Sequence, residues 1–142
     1  MIIPDINLLV YAYNSDAPDH RKARLWWEDA LSAQRVVGLS WIVLLGFIRI
    51  MSSRRILTAP LTMAEAGAHI RSWLEQPPAR IIHPGPHHLD LIEDLALHAG
   101  AAGELTTDLH LAALAIEHQA ELHSNDADFS RFPGLRWRNP LR

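Results

Sequence analysis

Five short apolar runs punctuate the chain, and longer segments with helical periodicity fill the gaps between them. Met1 to Pro4, Arg35 to Leu39, Arg80 to His83, Glu121 to His123 around Leu122, and Leu135 to Trp137 have the length of short buried strands. After the first run, Asp5 to Ala12 reads as a short helix or turn and Asn14 to Pro18 as a loop. Asp19 is placed as the N-cap of a helix to about Ser32, with Ala23, Trp26, Trp27, Ala30 and Leu31 on one face. After the second run, Ser40 caps an apolar helix from Trp41 to about Met51, continuing to Ser53. Pro60-Leu61-Thr62 opens another, reaching about Gln76, with Thr62 and Glu65 spaced as a capping box and Ala66, Ile70, Trp73 and Leu74 facing inward. Pro77-Pro78 stops it.

Beyond the third run, Pro84-Gly85-Pro86 is a turn and His87 to about His98 a helix, with His88, Ile92, Leu95, Ala96 and Ala99 on one face. Gly100 to Glu104 is a small-residue loop. Thr106-Thr107-Asp108 caps a helix to about Gln119 that carries Leu109, Ala112, Ala113 and Ile116 on its apolar side. Asp126 to Phe132 fits one helical turn. Helices alternating with short strands predict an α/β fold whose parallel sheet is covered on both faces.

That architecture sets where chemistry belongs. Ligands of such sheets sit at the C-terminal strand edge, where strand order reverses. Asp5 follows the first strand, and Ser124-Asn125-Asp126-Ala127-Asp128 follows the fourth. Asp108 opens the helix leading into the fourth strand, so it starts at the same edge. If the first and fourth strands are neighbours, Asp5, Asp108 and Asp126 converge into a pocket of hard oxygen ligands suited to Mg²⁺ or Mn²⁺. Each has a plain structural reading alone: Asp5 and Asp108 as helix caps, Asp126 and Asp128 as turn residues. Together they form a repulsive cluster that needs a cation or hydrogen bonds to offset it.

Composition narrows the classes. The 142 residues suit a single domain, and 49% apolar content is enough for a full core. Cysteine is absent, which excludes disulfide frameworks, zinc-thiolate sites and cysteine nucleophiles, and fits a reducing cytoplasm. No run of about 18 apolar residues indicates a membrane span, and no signal peptide is expected at the N-terminus. A net charge of −3 provides no bulk attraction to nucleic acid, so a nucleic-acid enzyme would need local basic patches. Every basic residue except Lys22 is arginine, which suits bidentate phosphate contact. Arg54 and Arg55 fit either such contact or compensation of a helix C-terminus. The histidine spacings, His87-His88 included, match no zinc-ligand motif. His110 lies two residues after Asp108, within reach of a substrate there, though a packed or exposed histidine is the simpler reading.

Pro4-Asp5-Ile6-Asn7, Thr107-Asp108-Leu109-His110-Leu111-Ala112-Ala113-Leu114-Ala115 and Ser124-Asn125-Asp126-Ala127-Asp128-Phe129, in that order, resemble the PIN domain, and the whole chain resembles VapC-type toxins of bacterial toxin–antitoxin pairs. The resemblance implies one three-layer α/β/α domain over residues 1–142, with four to five short parallel strands in the order 3-2-1-4-5. It implies a Mg²⁺- or Mn²⁺-dependent endoribonuclease in the bacterial cytoplasm, hydrolysing RNA phosphodiesters with metal-activated water. By position, Asp5, Asp108 and Asp126 match the metal-binding aspartates, and Asp128, Asn7 and Ser124 the supporting polar residues. Arg49 and Asn125 are candidates for substrate contact. The implied partners are RNA, a VapB-type antitoxin and a second copy in a homodimer. Trp26, Trp27 and Trp73 are expected as walls of the antitoxin groove, with burial in the core as the competing reading for the two adjacent tryptophans. One departure stands out: the usual PIN-domain Glu on the helix after the second strand is Gly46 here, in Gly46-Phe47-Ile48-Arg49. That leaves the metal count open, with Glu104 and Glu117 as compensating acids; Glu117 falls about half a turn away from Asp108 round the helix.

Two other classes compete. A receiver-like signalling domain shares the sheet and the acidic pocket, but its phosphoryl chemistry usually needs a lysine after the last strand, and Lys22 is in the first long helix. A PIN-like module that has lost its metal and acts through partner contact alone finds its support in Gly46, and its difficulty in three retained aspartates.

Overall fold

The computed structural model describes residues 1–100 and 103–142. The elements are β1 (Ile2–Pro4), α1 (Ile6–Tyr13), α2 (His20–Ser32), β2 (Val37–Leu39), α3 (Trp41–Met51), α4 (Met63–Leu74), β3 (Ala79–Ile81), α5 (His88–Ala99), α6 (Thr106–Glu117), β4 (Glu121–His123) and β5 (Arg136–Arg138). Single 3₁₀ turns occupy Gly103–Leu105 and Ala127–Arg131. All strand pairings are parallel, in the order β3-β2-β1-β4-β5. The expected order and the β1–β4 neighbourhood are therefore present.

The two helix pairs α1–α2 and α3–α4 carry the chain from β1 to β2 to β3, while α5–α6 returns it past β1 to β4. Right-handed crossovers put the first four helices on one face and α5 with α6 on the other. The packing agrees: α1 rests on α2 and α3, α3 on α4, and α5 on α6. The buried apolar side chains form one contiguous cluster.

The termini follow local chemistry, with a few departures from expectation. Asp5 accepts the Ile6 amide at 2.7 Å and so starts α1. Thr62 caps α4 through the Glu65 amide at 3.1 Å, and the Glu65 carboxylate returns to the Thr62 hydroxyl rather than to its backbone. Asp19 precedes α2 without a side-chain capping bond; its carboxylate is taken by Arg142 at 3.0 Å. α3 closes at Met51, and the Ser52 hydroxyl after it donates to the Ile48 carbonyl at 2.6 Å. α6 begins at Thr106, which puts Asp108 inside the first turn rather than at the cap. The side chain of Glu104 and residues 101–102 of the small-residue loop lie outside the described residues.

Candidate active site

The C-terminal edge of the sheet collects the chemistry. Pro4 is paired with His123, so Asp5 and Ser124, one residue further along each strand, stand level. The Asp5 amide continues the ladder to the His123 carbonyl at 2.9 Å. Asp5 is only 8% exposed. Its Oδ1 accepts from the Ile6 amide at 2.7 Å and its Oδ2 from the Ser124 hydroxyl at 2.7 Å. Ser124 is fully buried, and its oxygen in turn accepts the Asp126 amide at 3.0 Å. Asn7, in the first turn of α1, spans to the same loop through Ser124 Oγ and the Asn125 amide, each at a long 3.4 Å. Asp126 Oδ1 accepts the Asp128 amide at 2.9 Å, which winds the 3₁₀ turn and sets the Asp126 backbone.

The electrostatics show that these carboxylates act on one another. Burial raises the Asp5 carboxyl above its ordinary range; the bonds from Ser124 and Ile6 pull against that, and the charge of Asp126 adds to the rise. Asp108 is pushed up to about 6, first by burial and then by the charges of Asp5, Asp126 and Asp128, with Arg131 the cation that opposes the shift. Asp5, Asp108 and Asp126 thus share one under-compensated patch of negative charge.

Several candidates play other parts. Asn125 Oδ1 accepts from Asn139 Nδ2 at 3.0 Å, which ties the acidic loop to the C-terminal segment. Arg49 is exposed, and the arginine that the acidic patch feels is Arg131, 3.7 Å from Asp128. Arg131 was missed because its placement depends on the i, i+3 geometry of the 3₁₀ turn. Glu117 is committed elsewhere: it accepts from the Gly85 amide at 2.6 Å and pairs with His88 Nδ1. His110 pairs with His88 Nε2 at 2.8 Å, joining this same clasp between α5 and α6.

The tryptophan groove is corrected for Trp27 and Trp73, which burial removes from any surface. Trp27 and Trp73 are 2% and 1% exposed, and pack edge to face at 5.4 Å between ring centres beneath the α1–α4 layer. Trp73 Nε1 also donates to the Tyr13 hydroxyl at 2.7 Å. Trp26 is half-buried and donates to His123 Nδ1 at 3.1 Å. Large aromatic area is worth most in the core, and Trp27 and Trp73 bury theirs among the helices, with Tyr13 of α1 and Phe47 of α3 against Trp73.

Position 46 is also explained. A Cβ built on Gly46 would lie 2.5 Å from Ile6 Cδ1 and 3.0 Å from Ile6 Cγ1, so the Ile6 side chain fills the space an acidic side chain would need to leave the helix.

Among the described residues no three His, Cys, Asp or Glu side chains stand ready-made around a common ion position. The donor chemistry nonetheless fits a hard divalent cation: three aspartates from three segments, oxygen ligands only, with the Asp5 and Asp108 carboxyls raised first by burial and then by neighbouring carboxylate charge.

Comparison with known proteins identifies the family and the fold. The sequence profile described as PIN domain matches residues 2–135. The chain belongs to the PIN-domain family. It is 49% identical over 142 residues to Ribonuclease VapC33 of Mycobacterium tuberculosis, covering 100% of this chain and 99% of that protein. It is 37% identical over 140 residues to Ribonuclease VapC37 of the same species, covering 99% and 97%. Among solved structures, VapBC2 from Rickettsia felis bound to a promoter DNA fragment superposes with a TM-score of 0.71 at 22% identity, over 98% of each chain. M. tuberculosis VapC20, described as a sarcin–ricin loop cleaving toxin, gives 0.65 at 22% identity, over 96% of this chain and 99% of that one. The structural neighbours establish the shared PIN fold, and the family match sets aside the receiver-like alternative.

Proposed function

We propose that residues 1–142 form one PIN domain acting as a VapC-type endoribonuclease toxin that hydrolyses RNA phosphodiesters with the help of Mg²⁺ or Mn²⁺. The observation that carries this reading is the under-compensated trio Asp5, Asp108 and Asp126, in a chain 49% identical along its whole length to a named ribonuclease. Those three side chains would hold the ion, with Ser124 and Asn7 fixing Asp5 and the following loop, and Asp128 shaping the turn that presents Asp126. When bound, such an ion acidifies a water molecule and offsets charge on the scissile phosphate.

The chain's own residues prepare the site. Ser124 binds Asp5 from the neighbouring strand, which fixes one carboxylate at the sheet edge. Arg131 lies beside Asp128 at the exposed rim, where a phosphate oxygen of RNA would meet a bidentate donor. Burial and the neighbouring carboxylates disfavour Asp108 as an anion, so a cation bound there would favour its ionisation.

The same reading places the protein in the bacterial cytoplasm, neutralised by a VapB-type antitoxin and working as a homodimer. Among the described residues no helix is long and apolar enough to cross a membrane. The solved relative from Rickettsia felis is a toxin–antitoxin assembly, which supports the antitoxin partner.

The test is cleavage of a mixed tRNA and rRNA pool with Mn²⁺, with Mg²⁺ and with EDTA, beside the Asp5→Asn and Asp126→Asn proteins. Metal-dependent cutting that both substitutions abolish is the expected result. Cutting that persists at wild-type level in Asp5→Asn would overturn the mechanism. A wild-type melting temperature unmoved by Mn²⁺ would favour the metal-free binding module instead.

A further inference from the structure

Ser40 directly follows β2 at the same sheet edge as the acidic cluster, and its hydroxyl has no hydrogen-bond partner although the residue is only 2% exposed. An orphaned buried hydroxyl is uncommon and costs stability, so it calls for a reason. The usual reason for a serine at this position is helix capping. That duty is already met: the Val43 and Leu44 amides both bond the Ser40 backbone carbonyl, and the side chain makes no capping bond. Thr62 does cap α4 through its side chain, so the two positions differ within one chain.

The strand register says what the hydroxyl stands beside. Ile2 pairs with Val37, so three residues on, Asp5 lies level with Ser40; Pro4 pairs with His123, so Asp5 also lies level with Ser124. The backbone is still extended at Asp5 (φ −83°, ψ 159°) and at Ser40 (φ −94°, ψ 150°), so the pleat continues and neighbours at one level project to the same side. Asp5 is thus flanked on adjacent strands by two serines. Ser124 already donates to Oδ2 at 2.7 Å, and each carboxylate oxygen retains capacity for a second donor.

We propose that Ser40 is a positioning residue of the acidic site, holding the Asp5 carboxylate from the β2 side, as Ser124 does from the β4 side, once a divalent cation draws the carboxylates together. This role rests on the metal-dependent reading above. It gives the unpaired, buried hydroxyl a partner.

The experiment is a thermal-shift titration with Mn²⁺ on wild type, Ser40→Ala and Asp126→Asn. A positioning role predicts that Ser40→Ala melts at or above wild type without metal, because an orphaned polar group is gone, and needs about tenfold more Mn²⁺ for the same shift. An unchanged Mn²⁺ requirement in Ser40→Ala overturns the proposal, and a lower metal-free melting temperature beside it would identify a plain helix cap. A wild-type protein that shows no Mn²⁺ shift removes the metal reading itself, and the Ser40 role with it. Asp126→Asn guards against a response arising elsewhere, since it should lose the shift outright.

Discussion

The Ile6 side chain lies across Gly46 so closely that a Cβ at position 46 would fall 2.5 Å from Ile6 Cδ1. Ile6 directly follows Asp5 and occupies the first position of α1, where a β-branched side chain has little rotamer freedom. The acid usual in this family at position 46 is therefore not simply missing; its space is filled by a neighbour of the first catalytic candidate.

Gly46→Ala gains about 1 kcal/mol of helix propensity but overpacks the contact, which costs about 1–3 kcal/mol. A small net loss of stability is expected in urea unfolding. Ile6→Ala should relieve it, so the double mutant should show a coupling of about 1–2 kcal/mol. Strict additivity would mean that the two side chains do not compete for space. Gly46→Glu alone should destabilise the protein without strengthening its response to Mn²⁺.

Asp108 predicts a pH dependence in the metal-free protein. Its folded pKa of about 6 lies above the ordinary 3.8, so the folded state holds this proton more tightly than the unfolded state does. The stability from that proton is fully present below 3.8 and is lost as pH rises through about 6. Asp108→Asn mimics the protonated carboxyl. In EDTA it should melt above wild type, with a gap that opens from pH 3.8 upward and is complete above about 6. His110 and His123, both held below the ordinary imidazole range first by burial, titrate nearby with the opposite sign, so the mutant-minus-wild-type difference is the measurement that isolates Asp108. A gap that narrows with rising pH would contradict the assignment.

Glu117 should matter for packing and not for chemistry. It joins α6 to the Gly85 turn and to His88 at the start of α5. Burial raises its carboxyl, but the bonds from His88 and Gly85 and the charges of His88 and His118 outweigh that and hold it below the usual range. A depressed carboxyl contributes stability above its unfolded pKa of 4.5, and that contribution fades as pH falls through the lower folded value. Glu117→Ala should cost about 1–3 kcal/mol at neutral pH, and less in acid. RNA cleavage at a temperature where the variant is folded should match wild type. Lost cleavage in a folded variant would place Glu117 in the site after all.

Much of the fold was legible because it rests on local and periodic signals. Alternating helices and short strands predict the parallel sheet, and the position of Asp5 and Asp126 after two strands predicts a shared edge. The differences lie where a side chain had a choice of partner. Asn125 and Asn7 are both polar and both close to the acidic loop, yet Asn139 claims Asn125 while Asn7 stays with Ser124. Trp27 and Trp73 carry the same hydrophobic signal whether they line a groove or fill a core, and the packing of α1 to α4 decided for the core.

The sequence by itself determined the strand and helix succession, the oxygen-only donor set and the PIN-domain motifs, because these depend on residue type, spacing and period along the chain. Only the tertiary structure decided that Ile6 covers Gly46, that Arg131 stands where its charge reaches Asp108, and that Ser40 stands level with Asp5 without a partner. Those facts come from strand register and from side chains meeting across elements far apart in sequence. No local pattern encodes such contacts, because each depends on where the other segment ends up.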